Sequence, residues 1–155
     1  MLDKLLSNLP KVVILLAFAV FSPMQAGAVE DGEYAGVYQV TFAEPETGER
    51  RGNTGQLTLS VKDGKVVEIK HDKDTFLGNK VKYKLKIDSE SGRLKGTVTE
   101  RRNHKGNIID LRWSVKGVFV DEYFAGSATI WLTGWNGRTP EAGMLKAATY
   151  VFESP

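Results

Sequence analysis

The sequence predicts an all-β chain, and three observations carry that prediction. Lys80 to Ile87 reads Lys-Val-Lys-Tyr-Lys-Leu-Lys-Ile, a strict alternation of lysine with apolar residues. A period of two belongs to a strand with one wet and one dry face, because successive side chains leave opposite sides of a sheet. The same alternation recurs along the chain between glycine-bearing turns, of which Asp63-Gly64 and Asn136-Gly137 are the dipeptides that close tight hairpins. Past residue 29 no stretch carries helical periodicity.

Taken in order, Tyr34, Gly36, Tyr38, Val40 and Phe42 share one face of a first strand. Leu57, Leu59 and Val61 do so in a second, and Val67 and Ile69 continue inward in a third, with His71 on the same parity. The lysine strand is the fourth, with Val81, Tyr83, Leu85 and Ile87 on its dry face. Ser89 to Gly92 turns it into a fifth strand bearing Leu94, Gly96 and Val98. After a turn at Asn103 to Asn107, the sixth strand sends Ile109, Leu111, Trp113, Val115, Gly117 and Phe119 inward. The seventh follows Asp121-Glu122 with Phe124, Gly126, Ala128, Ile130 and Leu132; the last, Met144 to Glu153, has blurred alternation. The connection from Ala43 to Asn53 is the one expected to be long.

About eight strands with short connections make an antiparallel up-and-down meander. Closing it into a barrel hides the inner face and removes both edges at once. A two-sheet β-sandwich is the alternative. Gly96, Gly117 and Gly126, inward and mid-strand, fit sites where a strand bends or another backbone comes close, which favours the barrel.

The first 28 residues are read as a cleaved signal peptide. Lys4 and Lys11 are positive, Val12 to Phe21 is an apolar run, and Pro23 precedes the small residues Ala26-Gly27-Ala28. That run makes only about 15 Å of helix, half a bilayer core. No transmembrane segment is then expected after cleavage, and residues 29–155 form one domain. There is no cysteine, which excludes disulfides, thiolate metal sites and an acylated-cysteine anchor. The expected address is periplasmic, with secretion as the alternative. Removing Lys4, Lys11 and Asp3 leaves 19 basic against 18 acidic side chains, a balance that speaks against nucleic-acid binding.

An exported chain of this size, with Gly36-Val37-Tyr38 on the first of eight meandering strands, resembles the calycin group of lipocalins and avidin-like barrels. Those families carry Gly-x-Trp at this place, and tyrosine stands here instead. The resemblance implies a barrel that binds a small molecule in its interior. Asp31-Gly32-Glu33-Tyr34 and Asp63-Gly64-Lys65-Val66 are also similar to phrases of exported FMN-binding domains. Gly126-Ser127-Ala128-Thr129 scrambles the order of their flavin-attachment motif, so no cofactor is expected.

The chemistry is sparse. His71 and His104 are the only histidines; His71 precedes Asp72 and Asp74, a set that offers three ligands interrupted by a lysine, and no metal is expected. No nucleophile elbow, His-Glu-x-x-His or nucleophile–base pair is present, so an enzyme is not expected. Two binding readings remain. Tyr38, Tyr83, Trp113 and Phe124 point inward and are the candidate walls for a small apolar or amphipathic ligand, or else the rings of a filled core. On the outside, Lys80, Lys82, Lys84 and Lys86 align with Lys95 and Arg101 across the next turn, extended by Arg93, Arg102, Arg112 and Lys116. Such a face is either solvated or docks an anionic envelope component or partner protein. Trp135 and Arg138 flank the Asn136-Gly137 turn, as an interface anchor or a plug over the barrel end.

Overall fold

A computed structural model describes residues 28–43, 49–73, 80–141 and 143–155. The signal peptide expected over residues 1–28 lies, but for Ala28, outside the described residues. Eight strands follow one another: β1 (Gly32–Ala43), β2 (Arg50–Lys62), β3 (Lys65–His71), β4 (Lys80–Ile87), β5 (Arg93–His104), β6 (Asn107–Val120), β7 (Tyr123–Trp135) and β8 (Leu145–Glu153). Each pairs antiparallel with the next, and β1 also pairs with β8, so the meander closes into a barrel. The chain forms the expected barrel, not the alternative sandwich, and it fits a calycin-like architecture. Among the described residues no helix is long and apolar enough to cross a membrane.

The hairpins have the chemistry their residues dictate. Asp63-Gly64 and Asn136-Gly137 both adopt positive φ at both positions (50° and 66°, 49° and 78°), the type I′ geometry whose twist matches the flanking strands. Lys105-Gly106 does the same, tied by the Gly106 N–H donating to Asn103 Oδ1. Of the connection expected over Ala43 to Asn53, Ala43 and Arg50 to Asn53 belong to strands, with Phe42 pairing with Arg51 and Val40 with Asn53, and residues 44–48 lie outside the described residues. Gly126 is a close-approach site, because a Cβ there would sit 2.7 Å from the Lys116 carbonyl and against the Phe152 ring.

Three bulges account for the places where alternation fails. In β3, Val66 pairs with Val61 and Glu68 with Ser60, leaving Val67 as the extra residue. Val67 was expected inward; it is instead 44% exposed, and Val66 takes the core position. Thr133 in β7 and Ala147 in β8 are likewise skipped by the register, which explains the blurred pattern of the last strand.

The core occupies the barrel lumen. Tyr34 meets Phe119 edge-on, and the rings of Phe119, Phe124, Phe152, Tyr150 and Tyr38 run on in contact with centroids 5.4–6.1 Å apart. Buried aliphatics from β1 to β7 fill the space around this column. One end, with the Asp63-Gly64, Asp88–Gly92 and Asp121-Glu122 turns, is closed. There Phe124 N–H donates to Ser154 Oγ and Ser154 N–H donates to the Phe124 carbonyl.

Candidate ligand site at the open end of the barrel

Among the described residues, burial of the inward-facing side chains falls off toward the other end. On β4, Leu85 and Ile87 are buried while Val81 and Tyr83 are half-buried. On β6, Trp113, Val115 and Phe119 are buried while Ile109 and Leu111 are half-buried; Leu132 on β7 and Ala148 on β8 follow the same gradient. Register places these residues in rungs around the mouth. Val81, Glu100, Leu111, Leu132 and Leu145 lie on one rung, and Arg102, Ile109 and Trp135 on the next outward.

The floor of the mouth is a ring cluster with polar edges. Tyr38 stacks on Tyr150 at 5.5 Å, Trp113 leans on Tyr150 at 5.1 Å, and His71 meets Tyr38 edge-on at 4.7 Å. His71 Nε2 and the Tyr150 hydroxyl share a hydrogen bond of 2.7 Å. Burial is the main reason His71 is pushed down to about 4: the charged imidazolium loses its water, the Asp72 carboxylate opposes this, and the smaller repulsion from Arg102 adds to it. Burial likewise raises the Tyr150 hydroxyl, helped by Tyr38. At working pH the His71–Tyr150 pair is therefore neutral and hydrogen-bonded.

One wall is charged. Glu100, with its side chain wholly buried, pairs with Arg102 at 2.8 Å. Arg102 was expected on the outer lysine face; the structure turns it inward, because β5 keeps its parity from Leu94 through Val98 to Glu100 and Arg102. Extending that alternation by two more positions would have found both residues. A carboxylate on a rung of Val81, Leu111 and Leu132 needs such a partner, since a lone buried charge is costly.

The residues expected to line a pocket separate in the structure. Tyr38 and Trp113 form the floor and are buried; Tyr83 stands half-buried in the wall, where its hydroxyl accepts from the Ile69 N–H at 3.3 Å. Phe124 lies at the closed end among Phe119 and Phe152, so the structure does not bring it to the mouth. Burial raises the Tyr83 hydroxyl above its ordinary value; the Ile69 N–H it accepts from offsets part of this, and Glu68 and Glu100 add a smaller upward push. Among the described residues no three or more His, Cys, Asp or Glu side chains converge as for a metal; Asp74 lies outside them.

On the outer surface, Lys86 pairs with Lys95 and Lys80 with Arg101, as alternation requires. Arg101 is neutralised there by a two-point contact with Asp110 at 2.6 and 3.0 Å. Trp135 is 44% exposed at the lip and bridges back to Arg138 across the turn, with both backbone hydrogen bonds made. It shares the inner-facing register with Ile109, which places it beside the opening. Comparison of the chain with protein-family models, with curated proteins and with solved structures returned no match.

Proposed function

We propose that this chain is an exported binding protein that takes one small amphipathic molecule into the open end of its barrel. The observation that carries the reading is the gradient along β4 to β8. Inward side chains pass from buried aliphatics and rings to half-buried residues, and the polar ones — Tyr83, His71, Glu100 and Arg102 — gather at that end. A structural plug would need no ion pair on an apolar rung, whereas ligand sites place a few polar groups among apolar walls. In this reading Tyr38 and Trp113 are the floor, Tyr83 and Leu132 the walls, and Ile109 and Trp135 the apolar lip. The ligand's polar group faces Arg102 and its apolar part the lip. A signal-like N-terminus supports a periplasmic address, with secretion as the alternative.

Native mass spectrometry of the protein from its own cell envelope tests this. A small molecule retained by the wild type and lost in Leu132→Trp, which fills the mouth, is expected. A bare polypeptide mass in the wild type, with no uptake of amphipathic fluorophores, refutes the reading.

A further inference from the structure

The barrel wall carries a second feature beside the mouth, which shares Tyr83 with it. β3 and β4 pair at only two positions, Lys65 with Lys86 and Val66 with Leu85. The next residue is the Val67 bulge, and a bulge bends its strand and sharpens the local twist. Beyond it the two strands diverge, and an open groove of about 760 Å³ lies along the split. Exposed Val67 and half-buried Tyr83 are its accessible apolar side chains, backed by buried Val66 and Leu85, and its surface is chiefly apolar. The volume falls in the range of small-molecule sites, about 300–1,000 Å³.

Lysines frame this groove. Register sets Lys62 opposite Lys65, Lys65 opposite Lys86, Lys86 opposite Lys95 and Lys95 opposite Lys116. Five lysines thus lie in one row across β2 to β6, roughly 19 Å along the curved sheet at the usual strand spacing. Lys84 adds a charge on the groove itself. Like charges placed directly across a sheet destabilise it, and among the described residues no ion pair reaches Lys62, Lys65, Lys84, Lys86 or Lys116. Asp88 senses the row: its carboxyl is held below its ordinary value by the Ser91 hydroxyl and amide and, more weakly, by Lys95.

We infer that the β3–β4 groove and its lysine row form a site for a single-chain anionic amphiphile, the hydrocarbon chain lying over Val67 and Tyr83 and the phosphate or carboxylate head on Lys65, Lys86 and Lys95. The apolar floor asks for hydrocarbon and the unpaired row asks for negative charge. An acidic peptide added as a strand fits less well. The Ile69 N–H, on the edge such a strand would pair with, is already taken by the Tyr83 hydroxyl.

Isothermal titration with dodecyl phosphate, below its micelle concentration, tests this on the full chain. One-to-one binding is expected, at least tenfold tighter than for dodecyl maltoside, which has the same chain and a neutral head. Lys65→Ala/Lys86→Ala/Lys95→Ala together, and separately Val67→Asp on the exposed bulge, each weaken it at least tenfold with unchanged circular dichroism. Leu132→Trp leaves it intact, and loss in that variant instead puts the ligand in the mouth and overturns the groove assignment alone. Equal binding of dodecyl maltoside, equal binding of methyl phosphate, or indifference to Val67→Asp also overturns it. So does a glutamate-rich peptide that binds in place of dodecyl phosphate and is lost in Val67→Asp.

Discussion

His71 makes acid sensitivity a local property of this barrel. Its imidazole is enclosed by Tyr38 and Tyr150, hydrogen-bonded to the Tyr150 hydroxyl and close enough to Arg102 to feel its charge. The native protein therefore refuses a proton until about pH 4, while the unfolded chain accepts one near 6.5. Between those values the unfolded state binds more protons, so stability is complete above about pH 6.5 and falls as the pH drops toward 4. With these two values the loss works out at about 1.4 kcal/mol at pH 5.5 and about 2.6 kcal/mol at pH 4.5. Against a typical total of about 5–15 kcal/mol that is a large share. Urea unfolding of the wild type and of His71→Gln, which keeps a neutral hydrogen-bonding side chain, measures it from pH 7.5 to 4.5. The difference in stability between the two should move by these amounts in favour of the variant. Parallel curves, or an NMR titration of the His71 ring near 6.5, would refute the reasoning.

Three further outcomes follow from the same structure. Arg102→Met leaves the Glu100 carboxylate buried without its cation and should cost about 3–5 kcal/mol in chemical denaturation, with Glu100→Leu/Arg102→Met recovering part of it; a loss under 1 kcal/mol would show the pair to be solvated. Gly126→Ala drives a methyl group against the Lys116 carbonyl and the Phe152 ring and should cost about 1–3 kcal/mol, read as a lowered Tm; an unchanged Tm contradicts the close approach. Lys86→Glu places an acid between Lys65 and Lys95 and should raise stability by about 0.2–1 kcal/mol at low salt, the gain shrinking at high salt; destabilisation at low salt would mean the row is not repulsive.

Much of this was legible in the chain itself, because a period of two states both the element and its buried face. The inward sets on the sixth and seventh strands, the cross-strand partners Lys86–Lys95 and Lys80–Arg101, and the type I′ hairpins at Asp63-Gly64 and Asn136-Gly137 all follow from local pattern. Alternation fails wherever a bulge adds a residue. Val67, Thr133 and Ala147 each reset the parity, and nothing in their side chains announces it. Charged side chains mislead in another way. Glu100 and Arg102 hold inward positions that their own chemistry argues against, and only their pairing inside the lumen makes those positions tolerable.

Sequence alone therefore determined the all-β class, the strand order and which half of each regular strand is dry, since these depend on neighbours two residues apart. Tertiary structure decided the rest. Closure through β1 and β8 decided that an inside exists, and the strand tilt brought His71, Tyr38 and Tyr150 together from positions up to 112 residues apart. The lysines that alternation revealed on one strand became a row across five only because register aligned them, and the groove beside them opened only because one valine was left unpaired.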